Sequence, residues 1–484
     1  PAPPGRPARA PAPGYGGGGG AGDVGGQGQT VRHDGAGLWP GGPGPSASAG
    51  RGAVRDHGVV TPEPSPADEA GLEPVDLIRR SGTVLRIGRL ALSAGTGSYR
   101  VKSHMTRAAR ALGLDRIAAH VTLTEITATS YRGPIFRTEL TEVRSIGINA
   151  DRLAQLERFS ATLPAGADLD EVDAELDRIA RRPPLYGAFL NALWAGIACA
   201  AFAFLNHGGL VECGAVLVAA ALGQGVRRAM LHRGINQFGV TMLAAAVASI
   251  AYLGLVLGLS ALAGVEGGHE AGYVSAVLFL VPGFALVTGA LDLAKLDFSA
   301  GVARVTYALM ILASAALAVW GVSAAAGLAP DPVPAPVLAE PLLFGLRAVA
   351  SFLGVLGFAL MFNSPWAMAL GAASIGMVAN VGRLLLVDAE VVPQAAAAAA
   401  ALLVGLLAAT VAPALRVPRI TVSVPAVVIM VPGVTAYRAV YEFNTGATAQ
   451  ALAYAVEAGL VIVALAIGLA VARMLTDREW TFER

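Results

Sequence analysis

Cysteine is nearly absent from this sequence: its 484 residues include only Cys199 and Cys213, both in apolar stretches and without metal-type spacing. That argues against a disulfide framework or a zinc site. Charge is also scarce, at 14% of residues, and aromatics make up 6%. Hydrophobic residues reach 55% and the mean hydropathy is +0.59. Ordinary soluble domains carry about 25% charged residues, so this balance points to a membrane protein. The formal net charge is +1, and no basic stripe invites nucleic acid. No GxSxG, HExxH, CxxC or Walker pattern occurs in a context that would support it, which argues against an intramembrane hydrolase and against ATP-driven transport by this chain alone. The reading is therefore a protein that is not an enzyme and needs no cofactor or metal.

The charges that exist are uneven, most of them falling before Pro183 or in short gaps between apolar runs. Residues 1–70 are rich in Pro, Gly, Ala and Ser and read as a disordered tail. They lack a basic segment followed by an apolar one, so no cleaved secretory signal is indicated and the N-terminus is expected in the cytoplasm. Residues 71–182 read as a small α+β cytoplasmic domain. One helix places Val101, Met105, Ala108 and Leu112 on a face, and extended runs then flank an Arg132-Gly133-Pro134 turn. Two amphipathic helices follow, carrying Leu153, Leu156, Phe159 and Leu163, then Leu169, Val172, Leu176 and Ile179.

From Leu185 onward ten apolar stretches approach the roughly 20 residues needed to cross a bilayer. They fall near 185–205, 209–226, 238–263, 272–292, 300–326, 342–362, 365–386, 394–413, 420–442 and 447–473. With the N-terminus inside, the inner segments hold Arg181, Arg182, Arg227, Arg228, Arg233, Lys295, Arg416, Arg419, Arg473 and Arg478. The outer loops hold Glu266, Glu270, Asp331, Glu340, Asp388 and Glu390. This asymmetry predicts both termini in the cytoplasm.

Leu280-Val281-Pro282-Gly283 is echoed 150 residues later by Met430-Val431-Pro432-Gly433. The same offset pairs Asp292 with Glu442, and a three-residue shift pairs Tyr307 with Tyr454. Looser echoes set Phe204-Leu205-Asn206 beside Met361-Phe362-Asn363, and Arg227-Arg228 beside Gly382-Arg383. Five spans per unit put the second copy upside down, giving a 5+5 inverted repeat with halves at 183–330 and 331–484. Proline removes a donor and clashes with the preceding turn, so each Pro-Gly predicts a helix broken at mid-membrane depth. Paired breaks offer half-helix N-termini to an anion and unwound carbonyls to a cation, as a zwitterionic amino acid requires. A packing kink is the simpler alternative for a single copy.

Candidate substrate-binding or gating residues are Pro282, Gly283, Thr288, Asp292, Arg304, Pro432, Gly433, Thr435 and Glu442. Asp292 lies roughly 15 Å beyond Pro282 along a helix, near the inner mouth, with Lys295 or Arg304 as partner. Glu442 mirrors it beside Arg438. Glu457, mid-span among Tyr454, Ala455, Val456, Ala458 and Gly459, is the candidate for proton coupling, with pairing to an Arg as the alternative. Asn191, Asn206, Asn363 and Asn380 read as helix-borne amides suited to a substrate hydroxyl or to interhelical bonding.

These features in this order resemble the threonine/serine exporter family. The matching pieces are Gly97-Ser98-Tyr99-Arg100-Val101 with Ala111-Leu112-Gly113-Leu114, then Val281-Pro282-Gly283 with Leu291-Asp292-Leu293, Asp297 and Gly301-Val302-Ala303-Arg304. Val431-Pro432-Gly433 and Tyr437-Arg438 follow in the second half. The chain departs from the family pattern where an amide is expected near Thr288 and a glycine near Leu296. The resemblance implies proton-driven export of small hydroxy amino acids, threonine or serine, across a bacterial inner membrane, with a homo-oligomer as a further expectation. The alternatives are export of another small polar metabolite, such as a dipeptide or dicarboxylate, or an enzyme or sensor using His104, His120 and Glu125 in residues 71–182.

Overall fold

The computed structural model describes residues 75–143, 147–263, 272–330 and 338–481. The expected N-terminal tail and the loop acids Glu266, Glu270 and Asp331 lie outside them.

The N-terminal module forms around two helices, α1 (Val75–Ser93) and α2 (Ser98–Ala111). Gly88 lets them approach: a methyl group there would lie 2.6 Å from Met105 Sδ. Strands β1 (Arg116–Val121), β2 (Glu125–Arg132) and β3 (Ile135–Glu142) form an antiparallel sheet in the order β1-β2-β3. Arg132 pairs with Ile135 across the Gly133-Pro134 turn, where Gly133 takes φ +57, a conformation glycine adopts without strain. Ile126, Ala128 and Ser130 alternate into the core from β2. Helices α3 (Ala150–Thr162) and α4 (Leu169–Arg181) close it, each capped by a side chain: Asn149 accepts from the Arg152 N–H and Asp168 from the Asp170 N–H. Leu153, Leu156, Val172, Leu176 and Ile179 are buried as their helical spacing predicts.

The remaining helices are α5 (Ala188–Leu205), α6 (Leu210–His232), α7 (Gln237–Ala263), α8 (Gly283–Ala294), α9 (Phe298–Ala326), α10 (Glu340–Met361), α11 (Trp366–Asp388), α12 (Pro393–Leu415), α13 (Arg419–Val428), α14 (Gly433–Asn444), α15 (Thr448–Thr476) and α16 (Arg478–Thr481). Among the described residues, eight are long and apolar enough to cross a membrane, or nine if α13 and α14, bent by 51° at their break, count as one. The expected ten continuous stretches are corrected at residues 272–292. There a 3-10 segment, Ser275–Leu280, precedes Pro282 and the 12-residue α8. Proline at 282 and 432 cannot continue the hydrogen-bond ladder, and the chain turns instead.

Several elements of the two halves repeat. Helices α8 and α14 are 12 residues each and α9 and α15 are 29 each, all offset by 150. Helices α6 and α11, 23 residues each, are offset by 156, as are the ends of α5 and α10. Left-handed residues follow the same offsets: His207 and Asn363, Gly234 and Glu390, Leu296 and Gly446. This corrects three sequence pairings. Tyr307 matches Glu457 rather than Tyr454, Arg227 matches Arg383, and Asn206 matches Phe362. Where a glycine was expected near Leu296, leucine itself sits at φ +59 and Gly446 holds the equivalent turn.

Candidate functional site: two broken helices and the cavities beside them

At each break the chain makes the same tight turn. Pro282 adopts φ −81, ψ 50 and Pro432 φ −79, ψ 63. The Gly283 N–H donates to the Val281 carbonyl at 2.8 Å, and the Gly433 N–H to Val431 at 2.8 Å. These are inverse γ-turns centred on proline, whose ring already fixes the required φ.

The two turns meet. A methyl group on Gly283 would lie 3.1 Å from Val428 Cγ2 and 3.5 Å from Val431 Cγ2. One on Gly433 would lie 2.6 Å from Leu278 Cδ2 and 3.3 Å from Val281 Cγ2. The contact is reciprocal, since 278 and 281 are 428 and 431 shifted by the repeat. Its surface is apolar, whereas the sequence suggested that the paired breaks present a zwitterion site of helix N-termini and unwound carbonyls.

Polar cavities lie to either end of the Ser275–Leu280 segment. The proximal one, about 160 Å³, is roofed by Gly95, Gly147 and Ile148 of the module and lined by Gln224, Arg227, Pro282, Thr288, Arg304 and Tyr307. The distal one, about 290 Å³, is lined by Asn206, His207, Ser275, Thr435 and Arg438. A third space of about 410 Å³ borders both breaks, but its lining is apolar apart from Tyr437. Thr288 and Thr435 thus face different cavities. The Thr288 hydroxyl donates back to the Phe284 carbonyl at 2.9 Å, which leaves the oxygen able to accept.

Asp292 and Arg304 come together where α8 and α9 pack closely at Gly289 and Gly301. Arg304 Nε lies 3.0 Å from Asp292 Oδ2, each side chain only 3% exposed. The two therefore form a buried ion pair at hydrogen-bond distance. Around this pair the module docks. The Ser98 N–H donates to Asp292 Oδ1 at 3.0 Å, and Arg304 Nη2 donates to the Thr96 carbonyl at 2.7 Å. Lys102 Nζ reaches Asp297 at 2.7 Å. Lys295 is not the partner of Asp292: its ammonium sits over the Tyr99 and Trp480 rings, 5.4 and 4.9 Å from their centroids. A second junction joins α3 to the end of α10. The Ala150 N–H donates to the Phe362 carbonyl at 3.0 Å, and Asn363 Nδ2 to Asn149 Oδ1 at 2.9 Å.

The other candidates stand apart. Glu442 is half-buried on α14 and Glu457 half-buried on α15, and neither lines the proximal or distal cavity. Of the amides, Asn191 bonds the Met361 carbonyl and Gln224, and Asn380 bonds Ser351. Asn206 and Asn363 are not helix-borne: they follow helix ends, because the chain leaves the helix there through left-handed His207 and Asn363. In the module, His104 is buried against Ser160 at 2.8 Å, and His120 Nε2 meets Ser299 of α9 at 3.2 Å. Burial holds the His104 pKa down to about 4, Glu157 opposing and Arg107 and Arg100 adding to the shift. The sequence placed Arg227 among the inner-segment charges and in a repeat echo but not among the site residues, whereas it lies within α6 and faces the proximal cavity. Its place becomes legible only once Gln224 and Arg227 are seen three residues apart on one helical face.

Two family models match. One, described as "Putative threonine/serine exporter", covers residues 82–326; the other, "Threonine/Serine exporter, ThrE", covers 347–475. Relatives include proteins named "Probable succinate transporter subunit YjjP" from Klebsiella aerogenes and Escherichia coli strain K12, each 27% identical. The matches span 48% of this chain and 90% of the first relative, and 49% and 93% for the second. No solved structure matches. With its multi-pass helical architecture and these two matches over most of its length, the chain belongs to the threonine/serine exporter family of membrane transporters.

Proposed function

We propose that the chain is a secondary active exporter of small polar metabolites carrying a carboxylate, threonine and serine among them, built as a 5+5 inverted repeat. The observation that carries this reading is the reciprocal apolar contact between the two Pro-Gly turns, with a polar cavity to either side. Contacts of residue i with j′ and of i′ with j are the signature of an approximate twofold. In this reading the touching turns are the barrier, and solute crosses when the halves rock about them, exposing first the proximal and then the distal cavity. Half-helix α8 and half-helix α14 begin at the turns, so their N-terminal dipoles favour a carboxylate.

The basic ends support a cytoplasmic module: Arg227, Arg304, Arg419 and Arg473 cluster with Lys295 at the module's end of the bundle. Protons are the proposed coupling ion. Glu457 is one candidate carrier, its neighbours Ala455, Ala458 and Gly459 bordering the apolar space beside the breaks. The relatives named for succinate favour a second reading, export of a dicarboxylate. Their designation as a subunit fits a chain that carries two family regions in one polypeptide and assembles further.

The test is efflux from proteoliposomes loaded with L-threonine, L-serine or succinate, with and without an imposed pH gradient. Saturable efflux that an uncoupler collapses supports the reading. Gradient-independent leakage, equal in empty liposomes, refutes it. Loss of gradient dependence in Glu457→Gln assigns the coupling group, while unchanged dependence moves that role to another residue.

A further inference from the structure

Within the proximal cavity one cation is used and the other is not. Arg304 is committed to Asp292 and to the Thr96 carbonyl. Among the described residues Arg227 has no carboxylate partner: one hydrogen bond is long, 3.5 Å from Nη1 to Gln224 Oε1, and its Nε is buried without a partner. Among the described residues lining this cavity there is no Asp or Glu. The repeat supplies an internal comparison. Arg383, the counterpart of Arg227, donates from Nε to Asn380 Oδ1 at 3.0 Å, and Asn380 is held in turn by Ser351 at 2.9 Å. Arg383 lines neither polar cavity. The same position is therefore satisfied within the protein in one half and left open toward a cavity in the other.

Arg227 is half-buried, with its Nε fully out of solvent; a partly desolvated guanidinium without a counter-ion is costly, and its planar fork matches a carboxylate better than any other anion of biological size except phosphate. At about 160 Å³ the space is well below the roughly 300 Å³ at which drug-sized pockets begin, so it admits a molecule of a few carbons. Thr288 and Tyr307 supply hydroxyls on the same wall. We infer that Arg227 is the carboxylate-recognition residue of the module-side cavity, binding one carboxylate of a small organic acid or amino acid before it crosses. This deepens the export reading and rests on it.

The experiment uses the full chain. Transport of succinate, L-threonine and L-serine in proteoliposomes is measured for wild type, Arg227→Gln, Arg227→Lys and Arg383→Gln. In parallel, binding of the same solutes and of their methyl esters to detergent-purified protein is followed by ligand-induced thermal shift. The expected result is a KM at least tenfold higher in Arg227→Gln, a partial recovery in Arg227→Lys, and a value within twofold of wild type in Arg383→Gln. The esters are expected to bind at least tenfold more weakly than the free acids. A KM unchanged in Arg227→Gln, or esters that bind as well as acids, overturns the assignment and leaves export standing. Binding that depends on Arg227 without transport keeps the assignment and sinks export. Neither binding nor transport of any of the three sinks both. Preference for succinate over the amino acids, or the reverse, identifies which carboxylate class the cavity takes.

Discussion

Replacing Asp292 by Asn leaves Arg304 charged, 3% exposed, and held only by the Thr96 carbonyl at 2.7 Å. Removing one partner of a buried pair costs about 3–5 kcal/mol, largely because the survivor stays desolvated. The lower end applies, since Arg304 keeps its bond to the Thr96 carbonyl in the variant. About 3 kcal/mol is roughly a hundredfold in the folded-to-unfolded ratio. Removing both charges, in Asp292→Leu with Arg304→Met, restores part of that loss, because no charge stays desolvated, while the Ser98 N–H and the Thr96 carbonyl lose their partners. The chain provides its own reporter. Cys199 is buried at 0% exposure and Cys213 is the other cysteine, so in a Cys213→Ser background maleimide labelling on heating follows Cys199 alone. The single variant is expected to unfold at clearly lower temperature than wild type, and the double variant between the two. A single variant as stable as wild type, or a double variant no better than the single, refutes the idea that this pair is a mutually dependent buried unit.

Gly283→Val places a branched side chain where even a methyl would sit 3.1 Å from Val428; transport is expected to fall at least tenfold, roughly 1.4 kcal/mol, whereas Gly459→Ala, with nothing within 4 Å, leaves it unchanged. Leu296→Gly relieves a leucine held at φ +59 with 59% of its surface exposed, and thermal unfolding is expected to rise by the equivalent of about 1 kcal/mol. His104 makes stability fall with acid. Its folded pKa of about 4 lies below the ordinary 6.5, so between those values the unfolded chain binds the extra proton. The loss accumulates from pH 6.5 to pH 4 and totals about 3 kcal/mol at 1.36 kcal/mol per unit. A His104→Phe variant is expected to flatten unfolding midpoints across that window, and an unaltered slope would assign the acid sensitivity elsewhere.

Much of this architecture was legible before any coordinates. Apolar length located the crossing helices, four-residue spacing located the module core at Met105, Leu156 and Leu176, and Gly133-Pro134 located the hairpin. Pro282 and Pro432 located the breaks, because proline's missing donor acts through its own segment alone. Each of these signals is local: it arises from residues within a turn or two of one another. Tertiary structure decided what those segments do to each other. Asp292 chose Arg304 over the nearer Lys295 because α8 and α9 close at Gly289 and Gly301, while Lys295 was drawn to aromatic rings from residues 99 and 480. Ser98 meets Asp292 across 194 residues of chain, a distance over which periodicity carries no information. Arg227 reads in sequence as one more basic residue near a loop; only packing leaves it facing a cavity while its repeat partner Arg383 is bonded to Asn380. Local stereochemistry is written in neighbouring residues, whereas the pairing of charges depends on which surfaces the folded chain brings out of water together.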